Sequence, residues 1–110
     1  FMLITIPEKH IIRLKDITHI QNESNFIVIY TTQDKNYTSE EAFNTVEKVL
    51  EEKGFIKVNR NTLINISYIG NSINLGHKRS LNIFGITYIN VSRRRMQILK
   101  DVYIRGILGK

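Results

Sequence analysis

Two short polar runs carry most of the chemistry that this chain's residue types and spacings offer. In Asn59-Arg60-Asn61-Thr62 a fork-shaped guanidinium stands between two carboxamides, interrupting segments that are otherwise apolar. Arginine pairs bidentately with the guanine edge and asparagine with the adenine edge, so the run suits base or phosphate recognition. A loop whose asparagines bond their own backbone has the same composition. The second run, Ser92-Arg93-Arg94-Arg95, follows an apolar stretch and opens a helical pattern. Three cations there oppose the positive end of a helix dipole, at roughly a few tenths of a kcal/mol per charge, a cost that a neighbouring phosphate would reverse. Consecutive residues point in different directions, so the three divide between base, phosphate and solvent.

Catalytic chemistry is poorly supplied. The chain has no cysteine, no Gly-x-Ser-x-Gly elbow, no P-loop and no dinucleotide fingerprint. A metal-dependent nuclease needs several carboxylates converging on its polyanion, yet residues 55–110 hold a single one, Asp101. His10, His19 and His77 match no zinc spacing. The expectation is a protein that is not an enzyme and that takes no metal and no cofactor.

The charge distribution points the same way. The formal net charge is +6, and it is unevenly placed. Residues 1–54 hold six basic and nine acidic side chains, whereas residues 55–110 hold ten basic ones against Asp101 alone. An asymmetry of that size predicts an electropositive face built mainly by the C-terminal half, and hence a polyanionic partner.

The elements that must position these runs are mostly strands. Ile, Val and Thr supply 33 of the 110 residues and alanine only one, Ala42, a composition suited to pleated backbone. The length allows a single core, and no window approaches the ~18 apolar residues of a membrane span. With no cysteine, the reading is a cytoplasmic domain with no membrane contact. Phe1-Met2 reads as a cloning remnant or the start of a fragment, which leaves 3–110 as one domain. Met2–Ile6 and His10–Leu14 read as a hairpin about Pro7-Glu8-Lys9, followed by strands over Thr18–Gln21, Asn25–Thr31 and Asn36–Thr38. A helix is expected over 39–53, with Thr38 and Glu41 at capping-box spacing, Phe43, Val46, Val49 and Leu50 as its apolar stripe, and Gly54 as its stop. Strands over Phe55–Val58 and Thr62–Ile66 then flank the Arg60 run. Ile69–Leu75 would turn through Gly76-His77-Lys78-Arg79 into Leu81–Phe84, with Gly85 leading to Ile86–Val91. Ser92 has the chemistry of an N-cap for a short helix carrying Met96, Leu99, Val102 and Tyr103.

Three segments together make the chain recognisable. They are Ile17-Thr18-His19-Ile20 with Glu23-Ser24-Asn25-Phe26, then Phe55 to Asn65, and Ile89-Asn90-Val91-Ser92-Arg93-Arg94-Arg95. In these the chain resembles the LytTR family, the DNA-binding domain of LytR/AlgR-type bacterial response regulators, from Ile12 to Leu99. The family's middle segment usually runs Phe-x-Arg/Lys-x-His-Arg-Ser-Tyr-Leu-Val-Asn; this chain has Asn59 in place of the histidine, Asn61 for the serine and Thr62 for the tyrosine.

The resemblance implies a mostly β fold, an elongated arrangement of short antiparallel sheets with one helix between them and a short C-terminal helix. Such a domain lies along double-stranded DNA and inserts loops into successive major grooves. It implies base contacts from Asn25, Arg60 and Arg94, with Asn61, Lys78, Arg79, Ser92, Arg93 and Arg95 as phosphate contacts or support. Family members commonly sit behind a receiver domain in two-component transcription regulation and bind imperfect direct repeats. Since no heptad or long apolar edge announces a dimer seam, the chain alone is expected to be a monomer, with two copies on tandem sites. The competing reading is a basic β-rich module for RNA or protein. Single-strand RNA readers need aromatic platforms among their cations, whereas Phe26, Tyr30, Phe43 and Phe84 fall in apolar patterns.

Overall fold

The computed structural model describes residues 2–4, 11–33, 35–68, 80–83 and 87–108. Its centre is an antiparallel sheet of five strands: β3 (Ile17–Asn22), β4 (Ile27–Thr31), β5 (Asn36–Ser39), β6 (Phe55–Asn59) and β7 (Thr62–Asn65), in the order β5-β4-β3-β7-β6. Strands β1 (Met2–Ile4) and β2 (Ile11–Arg13) pair as a separate ribbon, as do β8 (Ser80–Ile83) and β9 (Thr87–Asn90). Helix α1 (Phe43–Glu51) links β5 to β6, and α2 (Arg93–Leu108) follows β9.

Strand alternation distributes the β-branched residues over both faces of the sheet. The cross-strand row Leu63, Ile20, Ile29 and Tyr37 lies on one face. There Phe43, Val46 and Leu50 of α1 join Ile20, Ile27, Ile29, Phe55 and Leu63 in a buried cluster. On the other face Ile56, Val58 and Ile64 pack with Ile89, Val91 and Leu99. Helices α1 and α2 therefore clamp β6 from opposite sides. Leu50, Leu63, Ile64 and Leu99 are fully buried, each stabilising by about 1.5–3 kcal/mol relative to exposure.

Several element boundaries differ from expectation. Helix α1 starts at Phe43 rather than near residue 39, because β5 runs on to Ser39, which pairs with Ile27. Thr38 is thereby committed to the ladder, opposite Val28, and is not the N-cap of the helix. Ala42 is the N-cap without any side-chain bond, and Ser39 Oγ instead accepts the Glu41 N–H at 3.2 Å. Gly54, at φ 91°, turns the chain into β6 two residues past the helix C-cap. Strand β4 begins at Ile27, since the Glu23 N–H donates to the Phe26 carbonyl at 2.9 Å and closes a bend over Asn25. The helix after Ser92 runs 16 residues. The Pro7-Glu8-Lys9 turn, the strand over 69–75, the turn through Lys78-Arg79 and the turn at Gly85 lie outside the described residues.

One buried polar side chain organises the start of β3. Asn65 Nδ2 donates to the Ile17 carbonyl at 2.9 Å and its Oδ1 accepts the Ser67 N–H at 3.0 Å. It bridges β7 to the 3-10 turns at Leu14–Asp16 and Ile66–Tyr68, where the Tyr68 hydroxyl donates to the Lys15 carbonyl. Its place in the motif segment is structural.

Candidate nucleic-acid interface

The antiparallel register brings the β3–β4 bend and the β6–β7 turn to the same end of the sheet. Gln21 pairs with Thr62, and beyond that pair the Asn22 N–H donates to the Asn61 carbonyl at 2.7 Å. The start of α2 is fastened to this end from the β6 side. The Ser92 N–H donates to the Val58 carbonyl at 2.9 Å, and Asn59 Nδ2 donates to the Asn90 carbonyl at 2.8 Å. Ser92 caps α2 as its chemistry predicts, with Oγ accepting the Arg95 N–H at 3.3 Å. The Asn59 side chain also closes the Arg60 turn, since Oδ1 accepts the Asn61 N–H at 2.9 Å.

Arg60 and Arg94 consequently line one cavity of about 280 Å³, with Lys57, Asn59, Ser92 and Arg95 as the other walls. Both arginines are exposed, as are Asn25, Asn61 and Arg93. Arg93 is not among the residues that line this cavity. Asn25 lies on the far side of the Asn22–Asn61 bond, in a second cavity of about 270 Å³ that it shares with Phe26, Glu40, Glu41 and Asn44. The end of the sheet is therefore polarised, cationic around Arg60 and Arg94 and acidic around Asn25. Lys78 and Arg79 fall outside the described residues.

Lys57, to which the sequence reading assigns no role, is a wall of the arginine cavity and an ion partner of α1. Its Nζ stands 3.5 Å from Glu47 Oε1. Glu51, one turn further along α1, has its carboxyl raised above the usual range by burial and then by the hydrogen bond and charge of Glu47, against the opposing pull of Arg95 and Lys57. The cations of the cavity thus stand against two α1 carboxylates from behind. Sequence spacing alone could show that Glu47 and Glu51 share a helix face, but not that β6 would set Lys57 against it.

His19 belongs to the sheet. It is buried, stacked on Tyr30 with ring centroids 4.2 Å apart, and burial lowers its pKa to about 4. Among the described residues no three or more His, Asp or Glu side chains gather as metal ligands, and no helix is long and apolar enough to cross a membrane.

A five-stranded sheet with Arg60 on its β6–β7 turn, beside Arg94 in the first turn of a capped helix, defines a β-rich module with a cationic end suited to a polyanion. The LytTr DNA-binding domain model matches residues 8–103, so the chain belongs to the LytTR family of DNA-binding domains. Among solved structures the chain is similar to a LytTr DNA-binding domain described as that of a methyl-accepting/DNA response regulator from Bacillus cereus. The TM-score is 0.71 at 16% identity, covering 100% of this chain and 96% of that one. No curated protein matches. The fold expectation is confirmed, with the five-stranded sheet as its core.

Proposed function

We propose that residues 3–110 form one sequence-specific reader of double-stranded DNA, the effector domain of a cytoplasmic two-component transcription regulator with an N-terminal receiver domain. In this reading Asn25, Arg60 and Arg94 touch base edges in successive major grooves. Asn61, Lys78, Arg79, Ser92, Arg93 and Arg95 contact or support phosphates. The observation that carries it is the convergence on one cavity of Arg60, from the β6–β7 turn, and Arg94, from the first turn of α2, which are distant in sequence. Two guanidinium forks held side by side suit the paired acceptors of guanine edges and the oxygens between them.

The deciding measurement is binding of Arg60→Ala and Arg94→Ala to a panel of single-base variants of a duplex selected from a randomised pool. Each substitution is expected to cost about 1–3 kcal/mol on the selected site and to relax preference at one base position. An equal loss on every sequence would make that arginine a phosphate clamp. Single-stranded RNA competing as well as duplex DNA would favour the alternative of a basic RNA-binding module.

A further inference from the structure

The β6–β7 turn is bonded to both of its neighbours in the interface. On one side the Asn61 carbonyl holds the Asn22 N–H at 2.7 Å, and on the other Asn59 Nδ2 holds the Asn90 carbonyl at 2.8 Å. The backbone bond between Ser92 and Val58 anchors α2 to strand β6, but it stops short of the turn itself. Among the described residues the Asn59 side chain carries that anchorage onward, because its Oδ1 also accepts the Asn61 N–H at 2.9 Å. One planar amide thus ties the backbone on either side of Arg60 to the strand end that delivers Ser92 and Arg94.

The two halves of this amide have separable roles. Shaping the turn requires only an acceptor at Oδ1, as in any Asx turn. The donor bond to Asn90 adds nothing to the turn's own geometry and links it to residues 31 positions away. Bidentate readout tolerates displacements of only about half an ångström, so a bond fixing one arginine-bearing backbone against another acts directly on recognition. We infer that Asn59 is a positioning residue for direct readout, joining the Arg60 turn and the Arg94 helix start into a single reading unit, an inference that rests on the base-contact reading proposed above.

The test is a double-mutant cycle of Arg60→Ala and Arg94→Ala on the selected duplex and on a scrambled one, run with Asn59 intact and again with Asn59→Ala. With Asn59 intact the two losses on the selected duplex are expected to be non-additive by about three- to tenfold, as for residues in one hydrogen-bonded network. With Asn59→Ala they should multiply to within about twofold, and selected-over-scrambled preference should fall about tenfold while scrambled binding changes less than about threefold. Asn59→Asp keeps the acceptor for Asn61 and loses the donor to Asn90, so it should uncouple the arginines equally well. It decides the matter if circular dichroism shows Asn59→Ala unfolded. Coupling that survives in a folded variant, equal losses on both duplexes, or failure of both variants to fold would overturn the assignment. A wild-type domain with no preference for the selected duplex would instead overturn the base-contact reading beneath it.

Discussion

Arg60 and His19 mark two kinds of residue that look alike in a motif and differ in the fold. Arg60 is exposed beside Arg94 and free to meet a ligand, so its chemistry is tested by exchange for the other cation. Arg60→Lys and Arg94→Lys keep the charge and lose the planar fork, and are expected to recover scrambled-duplex binding but not single-base preference, measured on the same duplex panel. His19 is buried against Tyr30 and stays neutral down to about pH 4, whereas its ordinary value is 6.5. Between those values the unfolded chain takes up a proton that the folded chain refuses, so folding stability is complete above about pH 6.5 and falls as pH drops towards 4. Urea unfolding at pH 7.5 and pH 5 should show wild type losing about 2 kcal/mol more than His19→Phe over that interval. A variant with an equally steep profile would assign the acid sensitivity to carboxylates instead.

Each element of the interface is set by what lies behind it. Helix α1 carries no candidate base contact, yet Glu47 holds Lys57 and Glu51 feels the charge of Arg95. Glu47→Gln releases Lys57 towards the cavity and is expected to raise affinity for any duplex by about two- to threefold at low salt, fading at high salt as a screened, partly exposed pair should. Fluorescence anisotropy at two ionic strengths measures it, and a sequence-dependent gain would give Lys57 a direct reading role. The same elements show what the sequence discloses. Alternating Ile and Val in β4 and the serine cap of α2 were legible because period and capping are local. Residue 43 as the start of α1 was not, because Thr38 and Glu41 have the spacing of a capping box and only the pairing of Ser39 with Ile27 withdraws Thr38 from it. The arginine runs were legible as chemistry, but Asn59 and Asn65 were not legible as fasteners. An asparagine that bonds a remote carbonyl has the same sequence signature as one that bonds its own turn.

At the scale of the whole molecule, charge and length govern how the domain sits on DNA. The C-terminal half carries all of the excess cation, ten basic side chains against Asp101, so association should be steeply salt-dependent. If about 4–6 phosphates are neutralised, log K falls against log salt with a slope of about −4 to −5, and affinity unchanged between low and physiological salt would contradict the electrostatic footprint. The molecule measures 40 × 29 × 26 Å, while one turn of duplex rises about 34–36 Å. With the long axis along the DNA, one copy spans slightly more than a turn, so two copies on the same side collide when their sites are one turn apart and clear each other at two. Cooperative occupancy by two copies is therefore expected on direct repeats centred about 21 base pairs apart. At about 16 base pairs the copies fall on opposite sides and bind independently, and at about 10.5 the second is excluded. Gel-shift titrations on these three spacings, with sedimentation of the free domain as a monomer, measure it. Preference for inverted repeats, or a stable dimer without DNA, would show that the symmetry of the complex comes from the protein and not from the tandem arrangement of the sites.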